Sequence, residues 1–559
     1  MKLGPLLAVA AVFALLAGTA GATHERRSPA QLVRVAVPTL AGFERLDNSG
    51  LDLSEHAGRG FVDVVVHSPA DAERLSATGF EWEVTIPDLE LRERRNSELN
   101  AAYAAATTLS PLPSGRDTYR TLADYEADLR QLAAQSPTLV RLIKLSRRSV
   151  EGREILGVEI SENVLSRTDG KPVFLMVGLH HAREWPSGEL SIEFAVDLVE
   201  SFGVSQRVTE LLRKVRVIVV PVLNVDGFEQ SRKWGDLVPI VDDDGGEEPG
   251  APDSLGNLNK RKNCRVVDGR ATPPGGCDRS SPDGFGVGVD LNRNYGWLWG
   301  GRGASGVPRS MTYRGQSAFS EPETQAIREL VSSRHVTTLI TNHTFSNLVL
   351  RPPGLRVEGT AVDEPAMKAL GARMVAQNGY RNLLGWQLYD TTGSTESWSY
   401  NATGGFGYTF EIGRREFRPP FGQVVDEYFG AGAYAAKGNR EAFLIALENA
   451  ADPRWHSVIT GTARAGATLR LLKTFDTPTS IGRIRDRLVS TLVVSSGGKF
   501  TWHVNPSTRP SVKALGKVER YRLTCERPAG TVLETVQVAV ERGNTKRLRL
   551  AACVRRLEG

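Results

Sequence analysis

The chain is poor in several things that would assign it a class at once. It has four cysteines among 559 residues, so it is no disulfide-dense scaffold, and none of the four has histidine-flanked spacing typical of a structural zinc site. It has no large excess of one charge: 69 Lys and Arg against 64 Asp and Glu leave +5. That balance gives no case for nucleic acid, and no dense Lys/Arg stripe suggests a groove binder. No apolar run approaches the length a bilayer requires, which excludes a helical membrane span. Internal repeats are also absent. What remains, 40% hydrophobic and 24% charged, is ordinary globular composition spread over about two to four domains.

The first residues point to a compartment. Lys2 is followed by the apolar run Leu6 to Leu16 and the small-residue stretch Ala20-Gly21-Ala22. That order predicts a signal peptide over 1–22 and a secreted, extracellular protein. An even number of cysteines then predicts two disulfides, and proximity along the chain pairs Cys264 with Cys277 and Cys525 with Cys553.

Three segments follow. Residues 30–105 carry strand-like runs (Leu32 to Val37, Phe61 to Val66), a helix from Ser68 to Thr78, and a charged helix from Leu89 to Tyr103 containing Arg94-Arg95. This predicts a small α/β module with an exposed connecting helix open to proteolysis. Over 115–450, buried apolar strands (Val173 to Gly178, Val215 to Val222, Leu339 to His343, Tyr408 to Ile412) alternate with amphipathic helices (from Thr121, Ser187 to Phe202, from Ser320 with a capping box at Glu323, Glu364 to Gln377, Val425 to Glu448). The fold class is therefore α/β: a mixed, largely parallel sheet with helices on both faces. From 455 to 559, short runs between Gly, Pro and Ser turns predict a β-sandwich. The Asp/Glu/Gly-rich loop Asp236 to Gly256 has two readings, a calcium site and a solvated acidic loop, and the lack of regular EF-hand spacing favours the second.

Two short clusters carry chemistry. His181-Ala182-Arg183-Glu184 and Asn342-His343-Thr344 supply two imidazoles and a carboxylate. Three protein ligands leave a tetrahedral zinc one position open, the arrangement of a catalytic rather than a structural ion. His181 and Glu184 are three apart, so one turn brings both to one side.

Around these clusters, residues from about Tyr119 to Glu448 resemble the zinc carboxypeptidases of the A/B type. The matching landmarks, in family order, are Glu151-Gly152-Arg153, His181 to Trp185, Asn224 to Phe228, Arg261-Lys262-Asn263, Gly288 to Asn294, Asn342-His343-Thr344, Tyr389, Trp398 to Asn401 and Thr409-Phe410-Glu411. The resemblance implies one zinc ion on His181, Glu184 and His343, the His2Glu set known for carboxypeptidase A itself. It implies Glu411 as general base and Arg261 as the cation facing the carbonyl oxygen. Asn292, Arg293 and a mobile Tyr389 would hold the substrate's terminal carboxylate, and Arg183 would add a further substrate contact. Peptides or proteins with a free C-terminus are the implied partners. The small N-terminal module sits where the family carries an inhibitory propeptide.

Ungapped counting from Tyr389 to Trp398 puts Glu396 at the base of the side-chain pocket, where family members acting on Lys or Arg carry an acid. A glutamate is longer than the usual aspartate, and both a basic and a mixed or apolar preference stay open. The competing readings are a cell-wall peptide-trimming metallopeptidase and a non-catalytic peptide-binding module. No feature specifies an oligomeric state.

Overall fold

The computed structural model describes residues 29–58, 60–232, 240–241, 247–248, 256–266, 288–434, 436–528 and 530–554. The expected signal peptide, Cys277 and most of the acidic loop from Asp236 lie outside the described residues.

Near the N-terminus, β1 (Gln31–Ala36), β2 (Asp52–Gly58), β3 (Phe61–Val66) and β4 (Trp82–Ile86) form one antiparallel sheet in the order β2-β3-β1-β4. Alternating Val33 and Val35 meet Val62, Val64, Leu46 and Leu75 in its core, as a strand period of two requires. Helices Leu40–Asp47 and Pro69–Ala77 start at Thr39 and Ser68, whose side chains accept from Gly42 and Asp71 backbone N–H groups. Helix Leu89–Ala106 then carries the chain across the main body. Arg418 bonds Glu93 there at 2.6 Å, and Asn100 accepts from the Phe421 amide.

The large sheet is built from β5 (Val140–Arg148), β6 (Glu154–Ile160), β7 (Val173–Val177), β8 (Arg216–Val220), and, after the two-residue pair β9 (Ile240–Val241) and β10 (Glu247–Glu248), β11 (Val336–Thr344), β12 (Leu348–Arg351), β13 (Arg381–Leu384) and β14 (Phe406–Ile412). Its order is β13-β12-β14-β11-β7-β8-β6-β5. The central run β14-β11-β7-β8 is parallel, and every residue of these four strands is buried. Burial on both faces is why they read as unbroken apolar runs.

Three local expectations are corrected. Helix Trp185–Ser201 is not amphipathic but buried around most of its circumference. Its Glu189 and Glu193 grip the buried Arg120 at 2.5 and 2.7 Å. The capping box at Ser320 does not form. The helix starts at Pro322, whose fixed φ suits a first helical position, and Ser320 donates to Glu321 instead. Val425 to Glu448 is two helices, Phe421–Phe429 and Gly438–Ala451. Gly430 ends the first with φ of 79°, and a side chain at Gly438 would meet the Tyr428 carbonyl at 2.3 Å.

The C-terminal strands are β15 (Ser457–Thr462), β16 (Thr468–Thr479), β17 (Gly482–Val493), β18 (Lys499–Val504), β19 (Tyr521–Glu526), β20 (Val532–Val538) and β21 (Thr545–Arg549). They form two sheets, β18-β15-β21 and β17-β16-β19-β20, which share a core including Ile459, Leu469, Trp502, Leu523 and Val538. Cys525 and Cys553 are bonded to each other. Cys264 is disulfide-bonded as well. Among the described residues no helix is long and apolar enough to cross a membrane.

Candidate active site

Chemistry gathers where the parallel strands end, the usual place in such sheets. After β7 the chain turns at Gly178, where a side chain would collide with the Pro221 and Ser187 carbonyls at 2.6 and 2.7 Å. This tight turn brings His180 and His181 over the sheet edge, and helix Trp185–Ser201 begins directly after Glu184. His343 comes from β11. Its parallel neighbour across the β11–β14 ladder is Glu411, so strand register alone sets the two side by side.

His181 Nδ1 lies 2.7 Å from Glu184 Oε1, His343 Nδ1 lies 3.0 Å from Glu184 Oε2, and the two Nδ1 atoms are 3.0 Å apart. All three residues are buried, and their donor atoms fall within 4.8 Å of one another. Two imidazoles and one carboxylate aiming donors at one point fit a zinc ion with an open fourth position.

The opposite nitrogen of His181 is held by Asp290 Oδ1 at 3.0 Å. A carboxylate behind a ligating imidazole fixes its tautomer and orientation. Burial pulls the His181 imidazole down, but the charges of Glu184 and Asp290 outweigh it and hold it up at about 9. Glu184, although desolvated, is held down at about 2 by the two histidines. A bound cation would displace the proton from His181.

Asp290 also accepts from Arg261 Nη2 at 2.8 Å. The Arg261 carbonyl accepts from the Ala182 amide at 3.0 Å, which binds this segment to the first histidine cluster. Glu411 is buried, and its Oε2 has no hydrogen-bond partner among the described residues. Desolvation, followed by the nearby charge of Glu184, pushes this carboxyl well above its ordinary range.

Asn292, Arg293 and Tyr389 come together. Arg293 Nη2 meets the Tyr389 hydroxyl at 3.2 Å, and Arg293 Nε donates to the Gly303 carbonyl at 2.6 Å. Asn292 Oδ1 accepts from the Thr395 amide at 2.9 Å. One residue further on, Glu396 is buried at the start of helix Thr395–Thr403. Its Oε1 accepts from the Ser394 and Ser397 hydroxyls at 2.6 and 3.1 Å, and its Oε2 has no hydrogen-bond partner among the described residues.

Arg183 is already engaged by the N-terminal sheet. Its Nη1 donates to both oxygens of Asp52 at 2.7 and 2.8 Å, and Nη2 reaches the Leu53 carbonyl. Asp47 accepts from Thr312, and Phe43 stacks on Tyr389 with ring centroids 5.2 Å apart. The N-terminal sheet thus roofs the site.

Asp290 carries no signal of its role behind His181 in the sequence beyond its place in the run Gly288 to Asn294, two residues before Asn292. A second such residue is His180, whose Nε2 meets the Tyr295 and Thr395 hydroxyls at 2.9 Å each. Burial holds His180 well below the usual imidazole range, and as a neutral ring it ties the metal cluster to the loops beyond. The adjacent pair His180-His181 was its only signal.

The zinc carboxypeptidase family model matches residues 125–428. The chain belongs to the zinc carboxypeptidase family. It is a metallocarboxypeptidase, a peptide hydrolase. This zinc carboxypeptidase is 27% identical over 422 residues to carboxypeptidase A1 of Sus scrofa, covering 71% of its own chain and 89% of that one. It is 27% identical over 338 residues to carboxypeptidase B of Homo sapiens, covering 57% and 70%. Its fold is similar to the crystal structure of carboxypeptidase A from Helicoverpa armigera, with a TM-score of 0.60 at 21% identity over 77% of this chain and 99% of that one. The zinc carboxypeptidase match ends before β15, so the C-terminal strands lie beyond it.

Proposed function

We propose that this enzyme is secreted and removes single residues from free C-termini, with one zinc ion on His181, Glu184 and His343, Glu411 as general base, and a preference for Lys or Arg ends. The observation that carries this reading is the convergence of three buried donors beside a strand partner, Glu411, whose raised basicity suits a proton acceptor. The Cys525–Cys553 bond accords with an oxidising compartment.

Zinc in that donor set supplies Lewis acidity toward a water molecule and the scissile carbonyl. The chain's own residues do the rest. Arg293, with Asn292 and the Tyr389 hydroxyl, receives the terminal carboxylate; a guanidinium suits that group because it can bind both oxygens. Arg261 faces the carbonyl oxygen, and Asp290 keeps its guanidinium in place as charge develops. Glu411 accepts a proton from the attacking water and returns it to the departing amine. Arg183 holds the peptide upstream of the cut. In the full chain Asp52 occupies that arginine, which supports an inhibitory N-terminal module.

Specificity rests on Glu396. A carboxylate oxygen indoors without a partner is costly, and a substrate ammonium or guanidinium would complete it. This favours a basic over an apolar end. The test is a C-terminal residue profile on blocked dipeptides ending in Arg, Lys, Leu or Phe, with and without a chelator. Chelation should abolish turnover and zinc should restore it; undiminished activity in stripped protein would sink the metal reading. Glu396→Ile should lower kcat/KM for basic ends about tenfold or more relative to apolar ones. An unchanged ranking would remove Glu396 from the pocket.

A further inference from the structure

We infer that the long C-terminal hairpin β16–β17 is a positioning element of the peptidase site, bracing the loop that follows Asn292 and Arg293. The grip on a substrate's terminal carboxylate then depends on strands outside the matched catalytic region. This rests on the proposed role of Arg293 as carboxylate ligand.

The two strands pair from Thr468–Val493 to Thr479–Gly482, twelve residues each. One half belongs to the C-terminal core through Leu469, Leu471 and Leu492. The other half leaves it. Phe475 joins the core of the large sheet, and Ile484 and Leu488 pack against that core. Arg328 fastens this half from the side, donating to Asp486 at 2.8 Å and to the Arg485 carbonyl at 2.6 Å.

The tip then grips Leu298 at both backbone groups. The Leu298 amide donates to the Pro478 carbonyl at 2.9 Å, and the Ser480 hydroxyl donates to the Leu298 carbonyl at 2.9 Å. The Ser480 amide donates to the Trp299 carbonyl, also at 2.9 Å. Leu298 has φ of 51°. A branched side chain rarely adopts that conformation, which persists only where surroundings impose it. Here the hairpin imposes it. Nearby, Ile484 Cδ1 lies only 2.6 Å from where a Gly296 side chain would begin, so hairpin and loop are in close contact there.

The loop's other side touches the substrate machinery. The Tyr295 amide donates to the Gly393 carbonyl at 2.9 Å, and the Gly393 amide donates to the Trp297 carbonyl at 3.1 Å. Gly303, further along the loop, accepts from Arg293 Nε. Residues 295–303 are therefore held between the hairpin tip and the segment from Tyr389 to Thr395. Loosening the tip frees Arg293 and Tyr389 together.

The experiment compares zinc-loaded wild type with Ser480→Gly, Ile484→Ala and Ile484→Val, in whichever form, intact or trimmed, the wild type turns over substrate. Two inhibitors serve as probes, a succinate carrying a free carboxylate and a simple hydroxamate without one. Ser480→Gly and Ile484→Ala should raise KM about three- to tenfold with kcat within about twofold, as loss of uniform binding does. Affinity for the succinate should fall by the same factor, the hydroxamate should bind as before, and Ile484→Val should restore KM. Unchanged KM and succinate affinity would overturn the inference, as would an equal loss for both probes, which marks a merely structural role. Ser480→Gly removes one hydroxyl and keeps the test valid if Ile484→Ala folds poorly. A wild type that binds succinate no better than its amide would overturn the carboxylate reading itself, and this inference with it.

Discussion

A buried carboxylate is tolerated when something in its surroundings answers it, and the acids in this chain are answered in different ways. Glu184 has two imidazoles, Asp290 has Arg261 and His181, and Glu411 has, among the described residues, no hydrogen bond to its Oε2. A group left that way is poised to take a proton. Glu411→Gln should retain stoichiometric zinc and lose about 10²–10⁴ in kcat; metal analysis beside steady-state kinetics checks both, and near-normal turnover would exclude it as base. Glu427 makes the opposite case. It accepts from the Tyr380 hydroxyl and the Gly413 amide, and burial pushes it up to about 7. Because its folded value exceeds its unfolded one, its stabilising effect is complete below about pH 4.5 and is lost as pH rises towards 7, by about 3 kcal/mol. Denaturation across that range should show the slope, and Glu427→Gln should flatten it. An equal slope in both proteins would refute the assignment.

At the scale of elements, the site is a product of where strands stop and helices begin. Helix Thr395–Thr403 lies so close on β14 that a side chain at Gly407 would meet the Glu396 carbonyl at 2.7 Å and its Cα at 3.0 Å. Gly407→Ala should cost about 1–3 kcal/mol by overpacking and shift the ratio of basic to apolar cleavage as the helix moves. An unaltered melting temperature would show that the gap closes without cost. Much of this level was legible beforehand. β7, β11 and β14 announce themselves as apolar runs, and His181, Glu184, His343 and Glu411 stand at their ends or just beyond. Less legible was anything decided by partners distant in sequence. Glu189 and Glu193 look solvated until Arg120 is placed between them, and Val425 to Glu448 reads as one helix because the pattern does not show that Gly430 turns left-handed.

At the scale of the whole molecule, two outer modules press on one catalytic body from different sides. The N-terminal sheet engages Arg183 through Asp52, 131 residues away in sequence, a contact no local pattern announces. Helix Leu89–Ala106 holds the same module down through Glu93 and Asn96. Arg95 on that helix is exposed. Cutting near Arg94-Arg95 should release the sheet and raise activity about tenfold or more, since a site whose arginine is occupied cannot bind peptide. Equal activity before and after cutting would make the module a folding aid instead.

The register joining His343 to Glu411 has a consequence for how this enzyme can change over time. Successive side chains on β14 point to opposite faces, so inserting or deleting one residue between Gly405 and Glu411 would turn the base away from the metal ligands while leaving every reactive group in the sequence. Substitutions can drift along that strand, but its length cannot. Variants that grow or shrink should do so in the connecting loops, and a one-residue indel in β14 should be as lethal to turnover as loss of Glu411 itself.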